Sequence, residues 1–253
     1  MHIDLNADLG ESFGAYSIGD DAGLLKSVTS ASVAAGFHGG DPTVLRATIR
    51  LAKSYGVGVG AHPGFPDLLG FGRRELHVTP SEAEDLVLYQ VAAVAGVAAA
   101  EGVRLQHVKP HGALYNMAVR DRTLAVAIVR AVAAIDSSLV IFGPPGSELL
   151  RAARESGIEV AAEGFADRAY RADGSLAPRS QAGAVIHEPQ AVVDRAIRIV
   201  TKQQVVAVDG TPVPLEADTL CIHGDTPDAA FLAAGLRAGL EAGGVTVRAV
   251  RSR

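Results

Sequence analysis

Six times along this chain a short apolar run ends in a cluster of side chains that can move protons or hold ions. Residues 3–5 lead to Asn6, Asp8 and Glu11, and residues 31–37 lead to His38 and Asp41. Residues 57–61 lead to His62, and residues 105–108 lead to Lys109 and His111. Residues 160–162 precede Glu163, Asp167, Arg168 and Tyr170, and residues 220–222 precede His223 and Asp225. Carboxylates and imidazoles at such spacing support acid–base chemistry or a divalent metal site. Asp8 and Glu11 can share a proton, bind a metal or divide acid and base roles. The same pair also suits an acidic turn in which Asp8 caps a helix. His38 sits in Gly36-Phe37-His38-Gly39-Gly40-Asp41-Pro42, where glycines let backbone N–H groups approach a ligand. Asp41 there also suits a helix N-cap, with Pro42 at the first helical position.

On a strand, His107, Lys109 and His111 share one face. A buried inward Lys109 needs a negative partner, which a substrate or Asp8 can supply. The loop 61–74 carries Pro63, Pro66 and three glycines, and reads as a stiff wall or lid over a site. Within it Arg73 or Arg74 can clamp a carboxylate or phosphate, and one of them can brace the loop against Asp67. Asp167 and Arg168 read as a structural pair. His2 and His77 lack such company and read as structural or surface groups. There is no phosphate-binding P-loop, no Gly-x-Ser-x-Gly elbow and no His-Glu-x-x-His motif. The single Cys221, inside an apolar run, reads as a small buried hydrophobe.

Positioning these groups requires regular alternation of strands and helices. Strand signals fall at 2–6, 31–35, 57–61, 105–109, 139–142, 158–162 and 219–222, with a possible eighth at 245–250. Helical patterns occupy 21–28, 43–55, 123–134, 147–156, 190–201 and 228–242, with one more starting at Pro80 behind the Thr79/Glu82 capping pair. Gly56, Gly102 and Gly157 sit where helices should stop. Residues 205–215 differ: Asp209-Gly210 marks a hairpin turn, so this segment reads as an accessory ribbon. The alternation predicts an α/β fold with one domain over 1–253, a βα-barrel of seven or eight mainly parallel strands. A doubly wound open sheet is the alternative.

Composition narrows the class. Hydrophobic residues make up 48% and charged residues 20%, enough for a large core and against disorder. A net charge of -5 without a Lys/Arg block argues against nucleic acid. One cysteine suits a reducing compartment. No secretory pattern opens the chain, and the most apolar window, 91–100, is too short to span a bilayer. The expectation is a soluble cytoplasmic protein without membrane contact.

Four segments in order strongly resemble the LamB/YcsF family: Asp4-Leu5-Asn6-Ala7-Asp8-Leu9-Gly10-Glu11, Gly36-Phe37-His38 with Gly40-Asp41-Pro42, Gly60-Ala61-His62-Pro63-Gly64, and Val108-Lys109-Pro110-His111-Gly112-Ala113-Leu114-Tyr115. Phe165-Ala166-Asp167-Arg168-Ala169-Tyr170 and Pro178-Arg179-Ser180 fit it too, so the resemblance covers essentially the whole chain. Ala35 departs from it, since the family usually has Cys there; a packing role for that Cys would explain the change.

The resemblance implies a βα-barrel akin to glycoside hydrolases and polysaccharide deacetylases. It also implies the role of the A subunit of ATP-dependent 5-oxoprolinase, working with subunits B and C and with ATP and Mg2+. The reaction would hydrolyse the cyclic amide 5-oxoproline to L-glutamate. On that reading Asp8 or His38 is the base, and His62 and His111 are further acid/base groups. Lys109 stabilises developing negative charge. Arg73 or Arg168 holds the substrate carboxylate, and Asn6, Glu11, Asp41, Glu163 and His223 complete the substrate-binding set. Phe65, Leu68 and Leu69 are expected to face partner subunits. Two other readings stand beside it. Asp8, His38 and His62 can bind a divalent metal in an amide or sugar-amide hydrolase that needs no ATP. Alternatively, the chain is a non-catalytic substrate carrier.

Overall fold

A computed structural model describes residues 1–178, 181–224 and 228–250. Arg179, Ser180 and Asp225, noted in the sequence motifs, lie outside the described residues. Seven parallel strands form a ring: β1 (His2–Leu9), β2 (Ser30–Ala34), β3 (Gly58–His62), β4 (Leu105–Val108), β5 (Val140–Gly143), β6 (Val160–Phe165) and β9 (Thr219–Ile222). Each pairs with the next, and β9 returns to β1 with Asp4 opposite Thr219 and Asn6 opposite Cys221. The ring is closed, so the open-sheet alternative does not hold. Intervening helices α1 (Asp21–Leu24), α2 (Pro42–Tyr55), α3 (Pro80–Ala100), α4 (Gly112–Ala118), α5 (Arg122–Ile135), α6 (Glu148–Glu155), α7 (Pro189–Lys202) and α8 (Ala229–Ala242) complete the βα alternation. Between α7 and β9, β7 (Gln204–Val206) and β8 (Pro212–Pro214) form the expected antiparallel ribbon.

Local chemistry explains the boundaries. The Thr79–Glu82 capping box opens α3, and Asp41 and Asp121 cap α2 and α5 with their carboxylates. Gly56, Gly102 and Gly157 follow α2, α3 and α6 within two residues. By length and apolar composition α3 is the one described helix suited to crossing a membrane. Here it belongs to the helical ring instead, burying Ala83, Val87, Val91, Val94 and Ala98 in the core. The segment 245–250 does not add an eighth strand to the ring. Its Thr246–Val247 piece, β10, pairs with His2 and Ile3 at the start of β1, and Val250 packs on Val140, Phe142 and Ala161.

On β1 the apolar residues that mark the strand face outward. Ile3, Leu5, Ala7 and Leu9 join the continuous core between ring and helices, together with helical residues such as Ile49, Val91 and Leu236. Strand alternation then turns Asp4, Asn6 and Asp8 into the barrel. This corrects the placing of Asn6 and Asp8 just past the first strand: parallel pairing with β2 persists to Leu9 opposite Val33, so both lie on β1. Deep inside, His107 stacks on Phe142 and its Nε2 lies 3.1 Å from Ser32 Oγ. A Cβ on Gly60 would stand 2.2 Å from His107 Nε2, so only glycine lets that ring lie across β3.

Asp4 accepts hydrogen bonds from Thr29 Oγ1 (2.6 Å), Ser30 Oγ (2.7 Å) and Thr219 Oγ1 (2.5 Å). Burial raises its pKa to about 6 even though these hydroxyls pull it down. The folded value lies above the unfolded one of about 3.9, so the unfolded chain releases the proton first. The stability that the protonated form contributes is complete below about pH 4, falls as pH rises and levels off above about pH 6, by about 3 kcal/mol. Urea unfolding should therefore give Asp4→Asn a flatter stability profile between pH 4 and 7 than the parent. Parallel profiles would refute this.

Candidate active site

The carboxyl ends of the strands converge on one buried polar cluster, built in two joined halves. The first half centres on Lys109, the residue just beyond β4, which is 3% exposed. Its ammonium lies 2.6 Å from Asp8 Oδ1 and 3.0 Å from Glu163 Oε1, and it donates to Asn6 Oδ1 at 2.8 Å. Cys221 Sγ is 3.2 Å away. Asn6 Nδ2 donates to Glu163 Oε1 (2.9 Å) and Thr219 Oγ1 (2.8 Å), and Tyr115 donates to Glu163 Oε2 (2.6 Å). One ammonium thus serves two carboxylates and an amide, which satisfies the charge that a buried lysine requires.

Electrostatics follow from that packing. Burial alone would raise the Asp8 pKa, but His62 and Lys109 outweigh it and hold it well below the carboxylate range. Burial disfavours the Lys109 cation, yet Asp8, Cys221 and Glu163 raise its pKa well above the ordinary value. Burial pushes the Cys221 thiol up, although Lys109 opposes the shift. Cys221 is therefore an inward-facing neighbour of Lys109 and more than a small buried hydrophobe.

The second half gathers Glu11, His38, His62 and His111 from beyond β1, beyond β2, the last residue of β3 and beyond β4. All four are at most 4% exposed. The rings of His38 and His111 stack with centroids 3.7 Å apart, and His62 meets both edge-on. His62 Nδ1 lies 2.6 Å from the Lys109 carbonyl, and His111 Nε2 lies 2.8 Å from the Phe71 carbonyl. Burial, and then the neighbouring imidazoles, lower the pKa values of His38 and His111 well below the ordinary range. His62 Nε2, 3.3 Å from Asp8 Oδ1, links the two halves.

The loop after β3 closes over the histidines. Gly72 has φ +64°, and a Cβ there would stand 2.8 Å from both His111 Cδ2 and His38 Cβ. Phe71 is also left-handed, at φ +54°, a conformation that strains a bulky residue. In it the Phe71 carbonyl meets His111 while its ring contacts His38 and His111 edge-on. Arg73 is exposed and stacks its guanidinium 4.9 Å from the Phe71 ring centroid. Arg74, as expected of one of this pair, braces the loop through Asp67. Phe65, expected at a partner surface, is instead fully buried in the core; Leu68 and Leu69 are exposed.

Asp8, His38, His62, Lys109 and His111 therefore stand together, joined by Asn6, Glu11 and Glu163. Asp41 does not join them: its carboxylate accepts from the amides of Thr43, Val44 and Gly14. Arg168 is buried and donates to the carbonyls of Ala177 and Ala184. The Asp167 carboxylate pairs with His223, and Arg168, the partner expected for it, stands beside it as a second nearby positive charge. His223 Nδ1 lies 2.9 Å from Asp167 Oδ2, and its ring stacks on Phe165. This dyad and Tyr115 were missed as a unit. The spacing carried no signal for a pair 56 residues apart, although Tyr115 stands in a motif with Lys109 and His111. Ala35 is buried just beyond β2, within the hydrophobic core.

Comparison with known proteins agrees with the site motifs. The LamB/YcsF family profile matches residues 3–253. A Chloroflexus aggregans protein named as the A subunit of 5-oxoprolinase is 56% identical over 251 residues, covering 99% of this chain and 100% of the relative. A protein of the same name from Halalkalibacterium halodurans is 52% identical, covering 99% and 97%. The crystal structure of a lactam utilization protein from Thermus thermophilus superposes with a TM-score of 0.93 at 50% identity, covering 98% and 100%. Because the match runs through every strand end that supplies the polar cluster, the chain belongs to the LamB/YcsF family.

Proposed function

We propose that this chain is the A subunit of an ATP-dependent 5-oxoprolinase, which opens 5-oxoproline to L-glutamate as ATP is hydrolysed to ADP and phosphate. The observation that carries the reading is the polar mouth itself. It sets a charge-compensated ammonium beside an ionised carboxylate and an Asp–His dyad, in a chain more than half identical to a relative of that name.

A five-membered lactam resists water because its carbonyl carbon is a poor electrophile. Transfer of the terminal phosphoryl group of ATP to the lactam oxygen releases ADP and makes that carbon electrophilic. Asp167 holds the Nδ1–H of His223, which fixes the tautomer and leaves Nε2 as a base. His223 takes a proton from water as the water oxygen bonds to the ring carbon. The proton passes to the ring nitrogen as the C–N bond breaks, leaving an amino group and an acyl phosphate. A second water hydrolyses the acyl phosphate to a carboxylate and phosphate. Asp8 accepts the ring N–H and orients the substrate, Lys109 faces the negative charge building on the phosphorylated oxygen, and Arg73 at the rim takes the substrate carboxylate. The ATP requirement and the free thiol of Cys221 suit a cytoplasmic setting.

The test is ATP-dependent glutamate release by the assembled enzyme. His223→Ala should lose about 10²–10⁴-fold in turnover, the usual cost of a positioned acid–base group. Asp167→Asn should lose turnover and move the pH–rate profile, while the exposed His77→Ala should be silent. Full turnover in His223→Ala would remove it from the chemistry.

A further inference from the structure

We infer that Glu11, His38, His62 and His111 form a binding site for one divalent transition-metal ion, with Zn2+ the best match. The inference starts from where the imidazole protons go. His62 donates Nδ1–H to the Lys109 carbonyl at 2.6 Å, and His111 donates Nε2–H to the Phe71 carbonyl at 2.8 Å. Both bonds end on backbone carbonyls, which only accept. The remaining nitrogens, His62 Nε2 and His111 Nδ1, point at each other 3.0 Å apart. In the neutral rings these are two lone pairs in contact, an arrangement that a shared cation turns from repulsive to attractive. Outer N–H groups anchored on carbonyls are the support that metal-binding histidines use.

Two further donors lie beside them, although the parallel stacking of His38 on His111 means that one of these rings must turn for both to meet one ion. His38 is fully buried, and among the described residues neither of its ring nitrogens has a hydrogen bond. Its Nε2 is 3.3 Å from Glu11 Oε1, and His111 Nδ1 is 3.6 Å from that same oxygen. All four donor atoms lie within 4.8 Å of one another. Four ligands at about 2.0–2.1 Å around a tetrahedral zinc ion sit about 3.3 Å apart. The separations of 3.0, 3.3 and 3.6 Å bracket that edge. Three imidazoles and one carboxylate suit zinc-like ions and not Mg2+ or Ca2+, which prefer oxygen.

The ligand set differs from Asp8, His38 and His62. Asp8 is bound to Lys109, and Glu11 and His111 take the places beside the two histidines. An ion here staples the ends of β1, β2, β3 and β4, four consecutive strands, next to the Lys109 cluster. The site stands independently of the reaction proposed above, and its test needs no turnover.

The full chain, stripped with a chelator and titrated with Zn2+ against a chromophoric competitor, should bind one ion. Co2+ in its place should give the intense visible bands of a four-coordinate ion. His38→Gln, His111→Gln and Glu11→Gln should each weaken Zn2+ binding at least about 100-fold, beyond the usual loss for removing a supporting group. Circular dichroism should show each variant folded. Asp8→Asn should change affinity less than about tenfold, because Asp8 is a neighbour and not a ligand. Failure of the folded parent to bind Zn2+ would overturn the site. So would a proton held between His62 and His111, seen by NMR as a His62 imidazolium in metal-saturating solution. Unweakened binding by folded His38→Gln, or loss of binding only in Asp8→Asn, would overturn the ligand set.

Discussion

Lys109→Met should remove most turnover and also weaken the fold, and the two losses should separate in a double variant. Removing the ammonium leaves Asp8 and Glu163 buried without the cation that compensates them, and leaves the Asn6 carbonyl without its donor. Breaking a buried pair from one side costs about 3–5 kcal/mol. The loss of a group that faces developing charge adds about 10²–10⁴-fold in rate. In Lys109→Met/Glu163→Gln one orphaned charge is gone, so urea unfolding should show part of the stability restored. Glutamate release should not recover, because the ammonium itself is missing. Turnover near the parent level in a folded Lys109→Met would make the residue purely structural. A double variant no more stable than Lys109→Met would refute the charge account.

The same cluster shows why the sequence could be read as far as it could. Strand ends were legible because β1, β2, β3 and β9 bury their outward residues against helices, leaving apolar runs followed at once by polar groups. Capping residues named the helix starts for the same local reason. What stayed hidden depends on pairs far apart in the chain. Asn6 meets Glu163 across 157 positions, and Lys109 meets Cys221 across 112. Alternation on β9 turns Cys221 inward with Thr219, but a four-residue apolar strand does not reveal which face is which. Adjacency favoured Arg168 as the partner of Asp167, whereas the imidazole that meets its carboxylate comes from His223, 56 positions further on. Phe65 was misjudged because Pro and Gly imply an exposed loop. That segment folds back instead, with Gln90 bonding both the amide and the carbonyl of Gly64.

On the proposed function, the isolated chain should release little glutamate from 5-oxoproline and ATP, and addition of its partner subunits should restore turnover. The polar mouth offers proton carriers and an ammonium, but the sequence has no phosphate-binding loop of the P-loop type to hold ATP. On the proposed function, the phosphoryl donor is expected to be bound or presented by another polypeptide. The exposed tip of the loop after β3 suits that contact, since Leu69 is 96% and Leu68 44% exposed while Phe65 anchors the loop from beneath. Burying a leucine at an interface contributes about 1.5–3 kcal/mol, or about 10–150-fold in affinity. Leu69→Asp should accordingly weaken assembly by at least that much, with turnover returning when the partners are raised to excess. Equal affinity of Leu69→Asp and the parent for the partners would move the interface elsewhere. Full activity from this chain with ATP alone would end the partner requirement, because the phosphoryl-transfer site would then have to lie within this barrel.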